Sequence, residues 1–218
     1  FPTGEAFADG SGTELDPYKL YIADDLSAIR NNLSAHYKLE ANIDLAGYDF
    51  GDGGGWLPIG AVDDTTSNAF TGSLDGNGYT ISNMRIDRPT MRAVGLFAKM
   101  NGSAKLSNIR LQHIQVVGND TTGGLVGVQY SGTIEQSYAT GTVRVTGQGD
   151  HPYTVAVHAG GLVGITSSGT IENSYAVVDV SGWTRIGGLT GENSGTIRNS
   201  YSAGRVHAAD EVGGLAGY

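Results

Sequence analysis

Apolar residues along this chain fall in short alternating runs rather than long stripes. TVRV at 142–145, VDV at 178–180 and RVHA at 205–208 are rich in β-branched residues and lie between clusters of Gly, Asn, Ser and Asp. Period-two alternation over so few residues predicts short, half-buried strands. One stretch reads differently: Leu26, Ile29 and Leu33 recur at helical spacing after Asp24 and Asp25, either of which can cap a helix running to about Leu33. After it, YKLEANIDL at 37–45 reads as a first strand, and residues 56–60 and 70–74 as irregular early strands near the glycine-rich GDGGG at 51–55.

The runs are phased by a repeat. GGLVG occurs at 123–127 and again at 160–164, GGLTG at 187–191 and GGLAG at 213–217. The first three are followed at a nearly fixed distance by GTIEQSYATGTV, GTIENSYAVVDV and GTIRNSYSAGRV. Weaker copies, KLSNIRL at 105–111 and GYTISNMRI at 78–86, extend the pattern towards the N-terminus.

A repeat of this length suits a leucine-rich repeat, a helical solenoid or a β-solenoid. The glycines are too dense for helices, and one dependable leucine per unit is too few for a leucine-rich repeat. What remains is a parallel β-helix with one unit per coil, each coil holding about three short strands and three turns. Coils would stack about 4.8 Å apart and align equivalent residues in columns. Ile134, Ile171 and Ile197 would face inward, Leu125, Leu162, Leu189 and Leu215 would line another inner wall, and Gln136, Asn173 and Asn199 would form an amide ladder at a corner. Thr80, Thr133, Thr170 and Thr196 suggest a further column, too narrow and too charged beside Glu135, Glu172 and Arg198 for an ice-binding face. Residues 1–40 read as a cap over the first coil and residues 41–218 as the solenoid. Ending on a complete GGLAG with no polar closing element, the chain reads as part of something longer, with further coils or a partner over that edge.

Composition narrows the function. Thirty-five glycines among 218 residues demand frequent turns, and 39% hydrophobic residues suffice for an ordered core. A net charge of -9 without a basic cluster argues against nucleic acid as a partner. The absence of cysteine removes disulfides and thiol chemistry. No apolar run approaches the ~20 residues of a membrane-spanning helix.

GGLVG followed by GTIENSYA resembles the GLUG repeat of exported bacterial surface proteins. GSGTELDPYKL, ADDLSAIRNNL, NIDLAG and FTGSLDGNGYTISNMRI are similar to the segment that commonly precedes such repeats. The resemblance implies an all-β, right-handed parallel β-helix with a short N-terminal capping helix, on secreted or wall-anchored proteins. These include adhesin-like proteins and immunoglobulin A-specific metallopeptidases that carry the repeats outside their catalytic domain. It implies no single activity.

The candidate chemistry is sparse. The step between the first two GGLVG phrases is longer than the later steps, and the excess falls around TGQGDHPYTVAVH at 146–158, which should loop out as recognition loops often do. Asp150, His151 and Tyr153 on that loop, with Trp183, are the candidate ligand-binding residues. His151 and His158 beside Asp150 fall short of a metal pattern and read as solvated, and no HExxH is present. Ser137, Ser174 and Ser200 recur with the repeat, which favours a structural column over a nucleophile. Tyr138, Tyr175 and Tyr201 read first as a stacked ladder, although exposed rings in a row could receive a sugar. Asp63 and Asp64 form an adjacent carboxylate pair without the His and Arg motifs of polygalacturonase-like enzymes. Asp49 and Asp52, or Asp9 to Asp16, could hold calcium, though neither follows an EF-hand loop. No other cofactor is expected. The leading reading is a non-catalytic spacer with an adhesion surface for a glycan or a surface protein, attached to neighbouring domains. The alternative is a carbohydrate-active β-helix, lyase or glycosidase, or its substrate-binding module.

Overall fold

A computed structural model describes residues 7–60, 68–147 and 157–218. Among them, strands assemble into sheets of seven, eight, five and four members, and every strand pairing between them is parallel. One coil runs through Thr121–Gly123, Val126–Gln129, Thr133–Glu135 and Tyr138–Val145 before the ladder resumes at His158–Gly160. The chain is therefore a parallel β-helix. Each coil carries four strand segments rather than the expected three, because the GGLxG phrase has a strand on each side of itself.

The phrase has a steric reason. A Cβ on its first glycine would strike the carbonyl oxygen three residues further on, that of Val126, Val163, Thr190 or Ala216 for Gly123, Gly160, Gly187 and Gly213. On Gly124, Gly161 or Gly188 it would strike the carbonyl of the matching glycine in the next coil. On Gly127, Gly164 or Gly191 it would press against backbone of an adjacent strand. None of these glycines has a positive φ. They are needed for room, since two strands pack backbone on backbone where the chain doubles back. The leucine between them fills the interior: Leu125, Leu162 and Leu189 are fully buried, and Leu215 in the last phrase is 38% exposed.

Other columns form as the repeat predicts. Ile134, Ile171 and Ile197 are in register on the seven-stranded wall, with the first two fully buried. At the next corner Asn108, Gln136, Asn173 and Asn199 all adopt φ between 48 and 56°, a left-handed conformation that asparagine tolerates well. Asn199 Nδ2 donates to Asn173 Oδ1 at 3.3 Å, so the amide ladder joins those two, while the longer Gln136 makes no such bond.

The N-terminal part of the chain departs from expectation in four places. Tyr18–Leu20 already pairs in register with His36–Leu39, so the seven-stranded wall begins inside the segment read as a cap. The helix Ala23–Ala28 and its 3-10 extension Ile29–Asn31 lie between these two rungs, burying Leu26 and Ile29. Ile22 holds the N-cap position, and Asp25 contributes by accepting the backbone N–H groups of Tyr21 and Ile22 at 2.9 and 3.2 Å. Residues 37–45 break into two strands on different sheets, His36–Leu39 and Ile43–Asp44. Thr80 does not join the threonine column: it pairs with Arg110 on the eight-stranded wall, while Ser73–Asp75 takes the rung below Lys105–Ser107. TISNMRI resembles KLSNIRL in letters but sits out of phase with it. Thr133, Thr170 and Thr196 do align.

Candidate recognition face

Recurring polar residues of catalytic type are engaged with one another along the stack. Ser137 and Ser174 are buried, and each serine Oγ donates to the carbonyl two residues before it, Glu135, Glu172 or Arg198, at 2.7–2.8 Å. The same oxygens accept backbone N–H groups from the preceding coil: Ile109 to Ser137, Ser137 to Ser174 and Ser174 to Ser200, at 3.0–3.2 Å. Among the described residues, none of these hydroxyls is hydrogen-bonded to a basic side chain. The tyrosines also stack, Tyr138 on Tyr175 at 4.8 Å and Tyr175 on Tyr201 at 5.0 Å, with planes within 7° of parallel. Ring faces within the stack are covered by neighbouring rings, which leaves no slot for a sugar between them.

Asp63 and Asp64 lie outside the described residues, as do Asp150, His151 and Tyr153 of the inserted loop. The flanks of that loop are defined. Thr146 and Gly147 donate to the Gly118 and Asn119 carbonyls at 2.9 and 2.8 Å, and the ladder resumes where His158 N–H donates to Asp120 at 2.9 Å. The next coil crosses the same corner through residues 182–185. Trp183 stands there, 43% exposed, with its carbonyl accepting from Ala209 and Asp210. Of the four candidate residues, the structure places only Trp183, one coil from the loop's exit.

His158 corrects the solvated reading. It is 7% exposed, with Nε2 3.0 Å from Glu192 Oε2. Arg185 bridges Glu192 at 2.9 Å and Glu211 at 2.8 Å and lies over the Tyr218 ring. His158 Nδ1 is buried without a hydrogen-bond partner. Burial pushes the His158 pKa below its ordinary value, outweighing the opposing pull of Glu192.

The two glycine-flanked carboxylates proposed for calcium already have partners. Asp49 accepts the N–H groups of Gly51, Gly53 and Gly55 at 2.7–3.0 Å, which lower its pKa. Asp52 takes both terminal nitrogens of Arg88 at 2.7 and 2.9 Å, and this pairing holds its carboxyl at about 2. Near Asp9, the Tyr21 hydroxyl donates to its carboxylate at 3.0 Å. Among the described residues, no three His, Asp or Glu side chains gather as a metal site.

Outward side chains of the eight-stranded wall form a different feature. Arg110–Gly118, Tyr138–Val145, Tyr175–Ser181 and Val206–His207 stack in register, burying Val116, Val143 and Val180. Alternation turns two columns outward: Gln115, Thr142 and Asp179, followed by Arg205, and Val117, Arg144, Ser181 and His207. Between them runs an open groove of ≈ 340 Å³. Arg205 N–H donates to Asp179 Oδ1 at 2.9 Å, fixing the rung. Sequence reasoning assigned these strands but did not follow their outward positions, which alternation in TVRV and RVHA could have supplied.

A parallel β-helix with these columns carries GLUG motifs: the model of the GLUG motif matches residues 118–144 and 156–181. Halomucin of Haloquadratum walsbyi is 39% identical over 140 residues, 62% of this chain and 2% of its own. A protein named "Putative Gly-rich membrane protein" from Evansella cellulosilytica is 36% identical over 129 residues, 57% of this chain and 14% of its own. This chain thus spans a small fraction of either relative. A solved structure from Bacteroides ovatus, described as a "putative immunoglobulin A1 protease", matches 97% of this chain and 64% of its own with a TM-score of 0.73. At 22% identity that likeness bears on the fold. No helix among the described residues is long and apolar enough to cross a membrane.

Proposed function

We propose that this chain is a non-catalytic solenoid module of an exported or surface-anchored protein, serving as a rigid spacer whose outer face binds a glycan or another surface protein. The observation that carries this reading is the in-register parallel ladder of the seven-stranded wall, running from Tyr18–Leu20 to Thr196–Arg198. Such a stack resists bending because each coil is hydrogen-bonded to its neighbours along several walls. The serines and tyrosines that a catalytic reading would draw on are used in that stacking. The names of the relatives, Halomucin and "Putative Gly-rich membrane protein", fit a cell-surface setting, and the small share of each that this chain spans fits one module among others.

Binding and cleavage are separated by incubating the chain with a panel of polysaccharides on a glycan array and, in parallel, assaying for new reducing ends and for unsaturated uronates. The reading predicts retention of at least one glycan class and no cleavage product. Release of either product would replace it with the carbohydrate-active alternative.

A further inference from the structure

Arg144 and Arg205 both line the groove of the eight-stranded wall, and among the described residues neither guanidinium has an ion-pair or hydrogen-bond partner. Other arginines near this wall are engaged. Arg85 pairs with Asp87 at 2.8 Å, Arg88 with Asp52 at 2.7 Å, and Arg110 donates to the Gly78 carbonyl at 2.9 Å. Two unpaired planar cations in one groove suit carboxylate or sulfate groups, which guanidinium binds through paired N–H donors. His207, the neutral polar groups of Gln115, Thr142 and Ser181, and the apolar Val117 complete the outward lining, with Asp179 as its one carboxylate. Gln115 and Thr142 on neighbouring rungs of one column, and Ser181 and His207 on neighbouring rungs of the other, can both donate and accept about 4.8 Å apart, as a hydroxyl-rich polymer requires.

We infer that this groove binds an acidic polysaccharide, with Arg144 and Arg205 each holding an anionic substituent of the chain and the Thr, Ser and Gln side chains meeting its hydroxyls. This deepens the proposed recognition role and rests on it. The overall charge of -9 repels polyanions from the protein as a whole, so retention of such a polymer must come from a local site. Uronate carboxylates and sulfate esters share this chemistry, and the groove itself does not distinguish them.

The test uses the full chain and its variants Arg144→Gln, Arg205→Gln and the double substitution, with Arg198→Gln as an exposed arginine on a different wall. Circular dichroism checks the fold. Probes are polygalacturonate, chondroitin sulfate, polyglutamate and neutral dextran, measured by affinity electrophoresis at low and physiological salt. The expected result is retardation by one or both acidic polymers and none by dextran. Each single groove substitution weakens it several-fold, the double substitution at least tenfold, Arg198→Gln leaves it unchanged, and added salt reduces it. Polygalacturonate alone, or chondroitin sulfate as well, identifies which anion is read. Equal weakening by Arg198→Gln would reduce the effect to bulk charge and overturn the inference. So would binding of dextran that ignores the groove variants, which would leave the wider recognition role standing. Stronger retention by polyglutamate than by either polysaccharide would overturn it in favour of an acidic peptide. Absence of binding to any glycan, here and on the array, would overturn both the inference and glycan recognition.

Discussion

Ser137 donates its backbone N–H to Ser174 Oγ at 3.1 Å, while the same hydroxyl donates to the Glu172 carbonyl at 2.8 Å. One side chain thus satisfies the buried Ser137 N–H of the neighbouring coil, for which no other partner exists among the described residues, and adds a second donor to the Glu172 carbonyl, which also accepts the Gln136 N–H at 3.1 Å. This is why serine recurs at the position.

Replacing Ser174 with alanine strands the buried Ser137 N–H, while the Glu172 carbonyl keeps the Gln136 N–H at 3.1 Å. The expected loss is about 1–3 kcal/mol of stability, the range for a buried polar group left without a partner. Ser200→Ala, at a half-buried position, should lose less. Urea denaturation of the two variants checks the order, and an Ser174→Ala loss near zero would remove the ladder from the account.

Gly161 and Gly214 hold the same place in their phrases but face different surroundings. An added Cβ on Gly161 meets the Gly188 carbonyl and the Ala176 and Val178 side chains, whereas on Gly214 it meets nothing within 4 Å. Gly161→Ala should destabilise by about 3 kcal/mol or more, since overpacking against backbone cannot be relieved by a rotamer change. Gly214→Ala should be nearly neutral. Thermal melts of both variants read the contrast directly.

His158 sets a pH dependence with a definite sign. Its pKa is lowered in the folded chain by burial, against the pull of Glu192 and Asp120 and with the repulsion of Arg185. Protonation would also put a second ring N–H at the buried, partnerless Nδ1. Below the ordinary value of 6.5 the unfolded chain takes up a proton that the folded chain still refuses. Stability therefore falls as pH drops from about 6.5 towards the lower folded value, and is unaffected by this group above that window. His158→Gln should flatten the slope in that window. The carboxylates with lowered pKa, such as Asp52, act only at more acidic pH, so denaturation curves measured through the weakly acidic range isolate the histidine.

Much of the fold was legible in the sequence because solenoid columns repeat in letters: Ile134, Ile171 and Ile197, the inner leucines, and the corner residues Gln136, Asn173 and Asn199 all sit where the period puts them. The position of the insertion was legible too, since the excess length falls between Gly147 and Val157. What failed had physical causes. The fourth strand was hidden because a glycine pair reads as a turn, whereas here it allows two backbones to touch. Thr80 was misplaced because the likeness of TISNMRI to KLSNIRL is a coincidence of composition, and Leu74 occupies the inner rung that the isoleucine of the motif fills elsewhere. Arg144 and Arg205 escaped notice because neither recurs in the repeat: Ser181 stands opposite Arg144, and Asp179 precedes Arg205 on the adjoining rung.

The parallel, in-register stacking of coils is the claim on which all of these readings depend, and the absence of cysteine makes it directly testable. Thr133 and Thr170 are adjacent rungs, and Thr196 is the rung after. Neighbouring rungs lie about 4.8 Å apart, within reach of a disulfide, while alternate rungs lie about twice as far, beyond it. Mild oxidation of Thr133→Cys/Thr170→Cys should give a monomeric, cross-linked protein with an unchanged circular dichroism spectrum, and Thr133→Cys/Thr196→Cys should remain reduced. Ready cross-linking of the second pair with none in the first would contradict the register and, with it, the solenoid on which the proposed groove is built.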